Sequence, residues 1–467
     1  MAIKWSLARI LFLSIVGLTI ATSIDGKTVH SRNSPNNKPS EHSHPAKSHS
    51  DSRHGRIARS AESISANPPA IALPGPGPTG PVSDGPPSRT AATEQELNIG
   101  IIGEGVVGLS TATAILELNP KAKITIYHDK PFEEILSRGI AGLFRVDDGS
   151  DINKLYGNDT FVRLAQLWRE YGGLSGVQLL SGHIVSTDKR KLDDQEGNYG
   201  NIVTNFRWLK DEELHGVNSV FGYGPNITAG IHYTAFTSEG IRYCPFMKQQ
   251  LLAKGVKFVQ KKLASVDDLA EEGHPIVVNC GGFNGGELAG DDAGNMIPIR
   301  GVLLKMDASW HKHFLYLDYT TITIPTIDTV YVGTVKQEGV DGPMHILPED
   351  VEDVWRRYEP IQPALRRARQ IGHFVGIRPG RKQIRVEAED RTTKSGKKYR
   401  LVHNYGHGGN GFTLAYGSGL HAAHLALGVK TDRYDDIVPS PLPKDPVKKT
   451  WKKAEEFYKE GLNLKSG

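Results

Sequence analysis

Residues 97–110 read LNIGIIGEGVVGLS: an apolar run broken by Gly103-Glu104-Gly105-Val106-Val107-Gly108. The run predicts a buried strand, and the three glycines predict a sharp turn into a helix. Each glycine has its own task. Gly103 permits the tight turn, Gly105 lets backbone approach a pyrophosphate, and Gly108 lets the helix lie close against the strand. The helix start offers free N–H groups and the positive end of its dipole to phosphates. A second strand, Lys123-Ile124-Thr125-Ile126-Tyr127, ends at Asp129, roughly 20 residues past Gly108, where a ribose-binding acid belongs. Strand, turn, helix and acid together point to a dinucleotide site. The bland alternative is a plain strand–helix turn.

The chain around this stretch has 467 residues and a formal net charge of +4. No dense basic patch interleaves with aromatics, which argues against a nucleic-acid partner. The two cysteines, Cys244 and Cys280, form no Cys-x-x-Cys pair, so neither a disulfide scaffold nor a metal site is expected. Cys280 follows an apolar run and reads as a buried thiol rather than a nucleophile.

Residues 1–23 carry Lys4 and Arg9, then an apolar core from Ile10 to Ala21 that ends in small residues. This predicts a cleaved secretory signal, and hence a secreted protein with no membrane contact after signal removal. An uncleaved anchor is the alternative. Residues 24–94 are rich in Ser, Pro, His, Asn and Gly and should form a disordered linker. His42, His44 and His49 read as part of a solvated spacer rather than a metal site. Arg56-Ile57-Ala58-Arg59 before Ser60 resembles a processing site that would release a pro-segment. The folded part, 95–435, holds two glycosylation tripeptides, at Asn158 and Asn226, both expected on surface loops.

Beyond them, Glu239 to Gly255 predicts a helix leading to the strand Val256–Val259. Val266 to Glu272 predicts a short helix, and Pro275 to Asn279 a strand closed by Cys280-Gly281-Gly282. Arg300 to Met306 and Thr323 to Val335 look β-like. The texture predicts α/β parts near 96–150, 239–290 and 376–428, with a second, mostly antiparallel β domain between them. Val351 to Gln370 predicts a charged helix, and Ser418 to Leu427 another, after the glycine-rich His403–Thr413. In the tail, 436–467, Val447 to Glu460 predicts a basic amphipathic helix docked on its own domain.

Three separated stretches, Gly103–Ser110, Gly376–Glu387 and His403–Thr413, together resemble the D-amino-acid oxidase and D-aspartate oxidase family. The resemblance covers about residues 96–428, and HNYGHGGNG is its most specific part. It implies a Rossmann-like domain holding FAD non-covalently. Gly103, Glu104, Gly105, Val106, Val107, Gly108 and Ser110 would lie at the pyrophosphate, Asp129 and Lys130 at the adenosine ribose. Ser137, Gly142 and Leu143 match the segment beside the flavin, and Leu263 a backbone contact to the adenine. Gly408, Gly409, Gly411, Phe412 and Thr413 match the segment covering the isoalloxazine end.

The resemblance also implies roles at the substrate. Arg378 matches the arginine that clamps the α-carboxylate, and a planar fork suits a carboxylate better than lysine does. A surface salt bridge is the alternative. Gly409 matches the residue whose carbonyl accepts from the substrate amine. Lys336 matches the basic residue that faces the substrate side chain in D-aspartate oxidases, as a buried ammonium; an exposed strand lysine is the alternative. The expected chemistry is oxidative deamination of acidic D-amino acids, D-aspartate and D-glutamate, with O2 as acceptor. The alternatives are neutral D-amino acids, or a secreted flavin-fold protein that has lost activity. Two departures stand out. Ile322 occupies the usual place of a tyrosine that binds the carboxylate, leaving Tyr316 or Tyr319 to substitute. Arg145 and Asp147 stand where the family often has uncharged side chains, with no role that the sequence assigns.

Overall fold

A computed structural model describes residues 96–221, 227–434 and 442–463. The expected signal, linker and processing site and the Asn226 tripeptide lie outside the described residues. In chain order the first elements are β1 (Asn98–Ile102), α1 (Val106–Leu118), β2 (Lys123–His128), β3 (Ala141–Leu143), α2 (Asp151–Tyr171), β4 (Val177–Ser186), β5 (Thr204–Trp208) and α3 (Asp211–Phe221). Next come β6 (Ala229–Glu239), α4 (Gly240–Ala253), β7 (Lys257–Gln260), α5 (Asp267–Glu271), β8 (Ile276–Asn279), α6 (Gly285–Ala289) and β9 (Ile297–Asp307). The chain continues with β10 (Phe314–Leu317), β11 (Thr321–Pro325), β12 (Val330–Glu338), α7 (Pro348–Tyr358), α8 (Pro363–Arg367) and β13 (Arg369–Thr392). It ends with β14 (Lys398–His407), α9 (Gly411–Leu427) and α10 (Ala454–Asn463).

Five strands run parallel in the order β7-β2-β1-β8-β14. Renumbered by sequence, that is the 3-2-1-4-5 order of a doubly wound dinucleotide fold. β1 and β8 are covered on both faces, so Ile99, Ile101, Val277 and Val278 are fully buried and the strands read as unbroken apolar runs. The other half is β9-β12-β11-β10-β4-β6-β3, antiparallel except for β10 beside β4. The expected second, antiparallel part is therefore present, but the two halves are one continuous sheet. The 24-residue β13 joins them: its first part (Arg369–Gly380) pairs with β9, and its last part (Arg385–Thr392) with β14.

Several expected boundaries shift. Thr323 to Val335 is a hairpin, β11 and β12, with a turn at 326–329. The single helix expected over Val351–Gln370 is α7 and α8, and Gln370 already belongs to β13. Pro360 and Pro363 lack the N–H that would carry one helix through. α9 begins at Gly411, seven residues before the expected Ser418. Its glycines are packing devices: a Cβ on Gly417 would lie 2.3 Å from the Tyr156 carbonyl oxygen. Of the expected tail helix, 454–463 is helical. It docks on its own domain through buried Ala454 and through Tyr458, whose hydroxyl donates to Asp350 Oδ1 at 2.7 Å. The Asn158 tripeptide lies within α2 rather than on a loop; Asn158 is exposed, but the Thr160 hydroxyl is buried and accepts from the Gly417 N–H. Among the described residues no helix is long and apolar enough to cross a membrane.

The antiparallel half gathers three imidazoles, with His183 buried and His232 and His313 half-buried. His183 and His232 are register partners, and His313 Nε2 lies 3.1 Å from His183 Nδ1. Burial, then the neighbouring rings, pushes His183 down to about 3, and burial pushes His313 down to about 4. Burial likewise holds His311 and His407 at about 4. These groups stay neutral in the folded state while the unfolded chain protonates near pH 6.5, so stability falls as pH drops from about 6.5 toward 4. Tm should decline between pH 7 and pH 5 with an uptake of about four protons on unfolding. His313→Asn should flatten that slope; a slope indifferent to pH would refute the coupling.

Candidate active site

The carboxyl ends of β1, β2 and β8 open into a cavity of about 1210 Å³ that continues under β9, β11, β12 and β13. That exceeds the roughly 300–1,000 Å³ usual for one small ligand. The opening lies between β1 and β8, where the strand order changes direction.

The sequence around 103 folds as its glycines require. Gly103 has φ +104°, and a Cβ there would stand 2.4 Å from the Cys280 carbonyl oxygen. A Cβ on Gly108 would meet the Gly103 carbonyl oxygen at 1.9 Å. Gly108 thus serves helix–strand approach and lies off the cavity wall, which corrects its expected contact with pyrophosphate. Ser110 is likewise off the wall: it is buried, facing Met247 Sδ at 4.0 Å. Gly103, Glu104, Gly105, Val106, Val107, Asp129, Lys130, Ser137, Gly142, Leu143 and Leu263 all line the cavity. So do Gly408, Gly409, Gly411, Phe412 and Thr413, where the second glycine turn feeds the N-terminus of α9. Two helix starts, those of α1 and α9, therefore converge on one space, as anionic phosphates and an electron-rich ring would need.

Glu104 is an acid within the turn expected to meet the phosphates. It is tolerated because it is neutralised: Lys248 Nζ on α4 donates to Oε1 at 2.7 Å, and His128 Nε2 lies 3.2 Å from Oε2. No spacing pattern pointed to Lys248, which is 144 residues away.

At the other end of the cavity, β13 carries three arginines in Arg378-Pro379-Gly380-Arg381-Lys382-Gln383-Ile384-Arg385. Arg381 is committed to Asp292 at 2.9 Å and Arg385 to Asp291 at 2.7 Å. Arg378 is different. Its Nη2 donates to the Thr334 hydroxyl at 3.2 Å, while its Nη1 is buried with no hydrogen-bond partner. Among the described residues no carboxylate pairs with it. Burial pushes Arg378 below its ordinary value, opposed by Tyr316 and Asp147. A buried guanidinium edge of this kind suits an incoming carboxylate. The surface salt bridge weighed for Arg378 is absent.

Space for that guanidinium comes from Gly301 on β9, a position the sequence reading passed over. A Cβ there would stand 2.3 Å from Arg378 Nη1. The β10–β11 turn places Tyr319 on the same wall. Asp318 and Tyr319 have φ +49° and +57°, an unfavourable region for a tyrosine. The turn is held by the Asp318 carboxylate, which accepts from Thr187 N–H and the Ser186 and Thr187 hydroxyls. Tyr319 Oη is buried and lacks a partner. Tyr316 also lines the cavity, as does Ile322 at the place of the usual tyrosine. Lys336 reaches the cavity from β12, but it is exposed and not the expected buried ammonium. Its cross-strand neighbour is Gly301. Cys244 and Cys280 are free and buried, and burial raises both thiols, so neither is a nucleophile.

Comparison with known proteins agrees with this arrangement. The model of FAD dependent oxidoreductases matches residues 98–425. The chain is 47% identical to D-aspartate oxidase 1 of Caenorhabditis elegans over 330 residues, covering 70% of this chain and 96% of the relative. It is 30% identical to D-aspartate oxidase of Homo sapiens, covering 70% and 94%. Among solved structures, glycine oxidase from Bacillus cereus shares the fold with a TM-score of 0.59 at 17% identity, covering 74% of this chain and 99% of that one. With a converging pair of helix starts, a dinucleotide-sized cavity and relatives of this length and identity, the chain belongs to the D-amino-acid and D-aspartate oxidase family of FAD-dependent oxidoreductases.

Proposed function

We propose that the protein oxidises acidic D-amino acids, D-aspartate foremost and D-glutamate with it, to the 2-oxo acid, ammonia and hydrogen peroxide. The observation that carries this reading is Arg378, the arginine of β13 whose buried Nη1 has no partner. The turns at Gly103–Val107 and Gly408–Thr413 would hold FAD, which would supply the acceptor for the Cα hydride and the route for electrons to O2. The chain's own residues bind and orient. Arg378, steadied by Thr334, takes the α-carboxylate, and the Tyr319 hydroxyl donates to the same group in place of the missing tyrosine at Ile322. The carbonyl of Gly409 accepts from the amine. No strong base is required, so catalysis rests on holding the Cα–H in line with its acceptor. Lys336, at the rim, attracts substrates with a second carboxylate.

The test is peroxide release from purified, FAD-loaded protein with D-Asp, D-Glu, D-Ala, D-Met and L-Asp. Release from D-Asp and D-Glu above the neutral substrates, and none from L-Asp, is expected. Release mainly from D-Ala or D-Met would move the reading to neutral substrates.

The cofactor end gives a separate expectation. Lys248→Met leaves the Glu104 carboxylate under-compensated beside the phosphate position and should weaken FAD binding about tenfold, since bonds to charged groups are worth roughly 1.5–3 kcal/mol. Flavin fluorescence titration of the apoprotein measures it; an unaltered affinity would show that Glu104 faces no phosphate.

We infer further that the chain is secreted. Lys4, Arg9 and the apolar run Ile10–Ala21 support this reading. Expression in secretory cells with N-terminal sequencing of protein from the medium tests it, and a glycosidase shift reports on Asn158 and Asn226.

A further inference from the structure

Arg145 and Asp147 follow β3 directly and stand on the cavity wall. Arg145 Nη1 pairs with Asp147 Oδ1. The guanidinium of Arg145 lies 5.3 Å from the Tyr316 ring centre and 4.8 Å from that of Tyr319. The segment is latched to the second glycine turn by one side chain. Asn410 Nδ2 donates to the Arg145 carbonyl at 2.8 Å, and Asn410 Oδ1 accepts from the Asp147 N–H at 3.0 Å. This brings the Asp147 carboxylate beside Gly409: a Cβ there would be 3.5 Å from Asp147 Oδ2. Tyr316 and Asp147 also act electrostatically on Arg378, so the pair and the carboxylate-binding arginine share one neighbourhood.

The charges in that neighbourhood form a pattern. Arg378 and Arg145 are two cations, and Asp147 is one anion. An acidic amino acid presents the reverse, two carboxylates and one ammonium. Arg145 has a planar fork for a carboxylate, and its side chain is only 18% exposed, so little water competes for it. The Asp147 side chain is 40% exposed and lies against the residue expected at the substrate amine. Lys336, by contrast, is exposed.

We propose that Arg145 holds the side-chain carboxylate of the substrate and that Asp147 receives its α-ammonium, so that one ion pair reads both charges that set acidic amino acids apart. This rests on the proposed oxidation of acidic D-amino acids. A neutral D-amino acid satisfies Arg378 and Asp147 but leaves Arg145 without a substrate partner. A dicarboxylate without an amine satisfies both arginines and faces the Asp147 carboxylate unfavourably.

The test uses the full-length, FAD-loaded protein and three variants, Arg145→Gln, Asp147→Asn and Lys336→Met. Wild type on D-Asp and D-Ala reports on the oxidase reading itself. The ratio of kcat/KM for D-Asp over D-Ala should fall about 30-fold in Arg145→Gln and no more than about threefold in Lys336→Met. Succinate binding, read from the perturbation of the flavin absorbance, should weaken about tenfold in Arg145→Gln and tighten about tenfold in Asp147→Asn, whose KM for D-Asp should rise. An ion pair that only stiffens the wall would lower kcat/KM for both substrates alike and leave succinate binding weaker or unaltered in Asp147→Asn. That outcome overturns the proposal, as does a selective loss on D-Asp in Lys336→Met instead of Arg145→Gln.

Discussion

Arg378→Met is expected to lower kcat/KM for D-aspartate about 10³-fold while FAD stays bound. Two effects combine. The charge-assisted bonds to the α-carboxylate are lost, each worth roughly 1.5–3 kcal/mol. The substrate then also turns freely, and misplacement of about 1 Å can cost another 10²-fold. Arg378→Lys should recover little, because an ammonium keeps the charge but not the two-pronged geometry. Steady-state kinetics with flavin absorbance as the control for loading would measure both variants. Retention of D-Asp activity in Arg378→Met would place the α-carboxylate elsewhere in the cavity.

The second large effect comes from a residue that touches no ligand. Gly301→Ala puts a methyl group where Arg378 Nη1 stands, 2.3 Å from the new Cβ, and 2.6 Å from Arg378 Cζ. The arginine can yield, since it is the far end of a flexible side chain, so the sheet should survive and Tm should drop by only a few degrees. The displaced guanidinium should then cost about 10²-fold in kcat/KM for D-Asp, mostly through KM. Equal loss of Tm and activity would mean that the sheet, and not the arginine, had yielded. The comparison separates positioning from folding without altering any group that binds substrate.

Arg378 and Gly301 differ in how far the sequence disclosed them. The turn at Gly103–Gly108 was legible because close backbone approach admits only glycine, and short-range spacing carries that constraint. β1, β2 and β8 were legible for a similar reason, as strands buried on both faces announce themselves as apolar runs. Gly301 was not legible. Its task depends on β9 lying beside β13, which places it two register positions from Arg378, 77 positions later in the sequence. Lys248 is hidden in the same way, since its partner Glu104 is brought to it by elements far apart in the chain. The start of α9 was missed on other grounds. Glycine is a poor helix former, but Gly417 lets α9 approach α2 closely and Gly419 lets it approach α1, so packing outweighed propensity.

One further property follows from β13. At 24 residues this strand is about four times the usual strand length of 5–6 residues. It works as a beam clamped along both flanks, by β9 on one side and β14 on the other. Over Arg369–Gly380 the strand is paired with β9 and over Arg385–Thr392 with β14, so sliding either half along it would break that half's ladder. At the rim, the β12–α7 connection bearing Met344 is moored by the C-terminal segment through Gly339, Asp341 and Lys452. The C-terminal segment thus holds a piece of the cavity rim in place from outside the sheet.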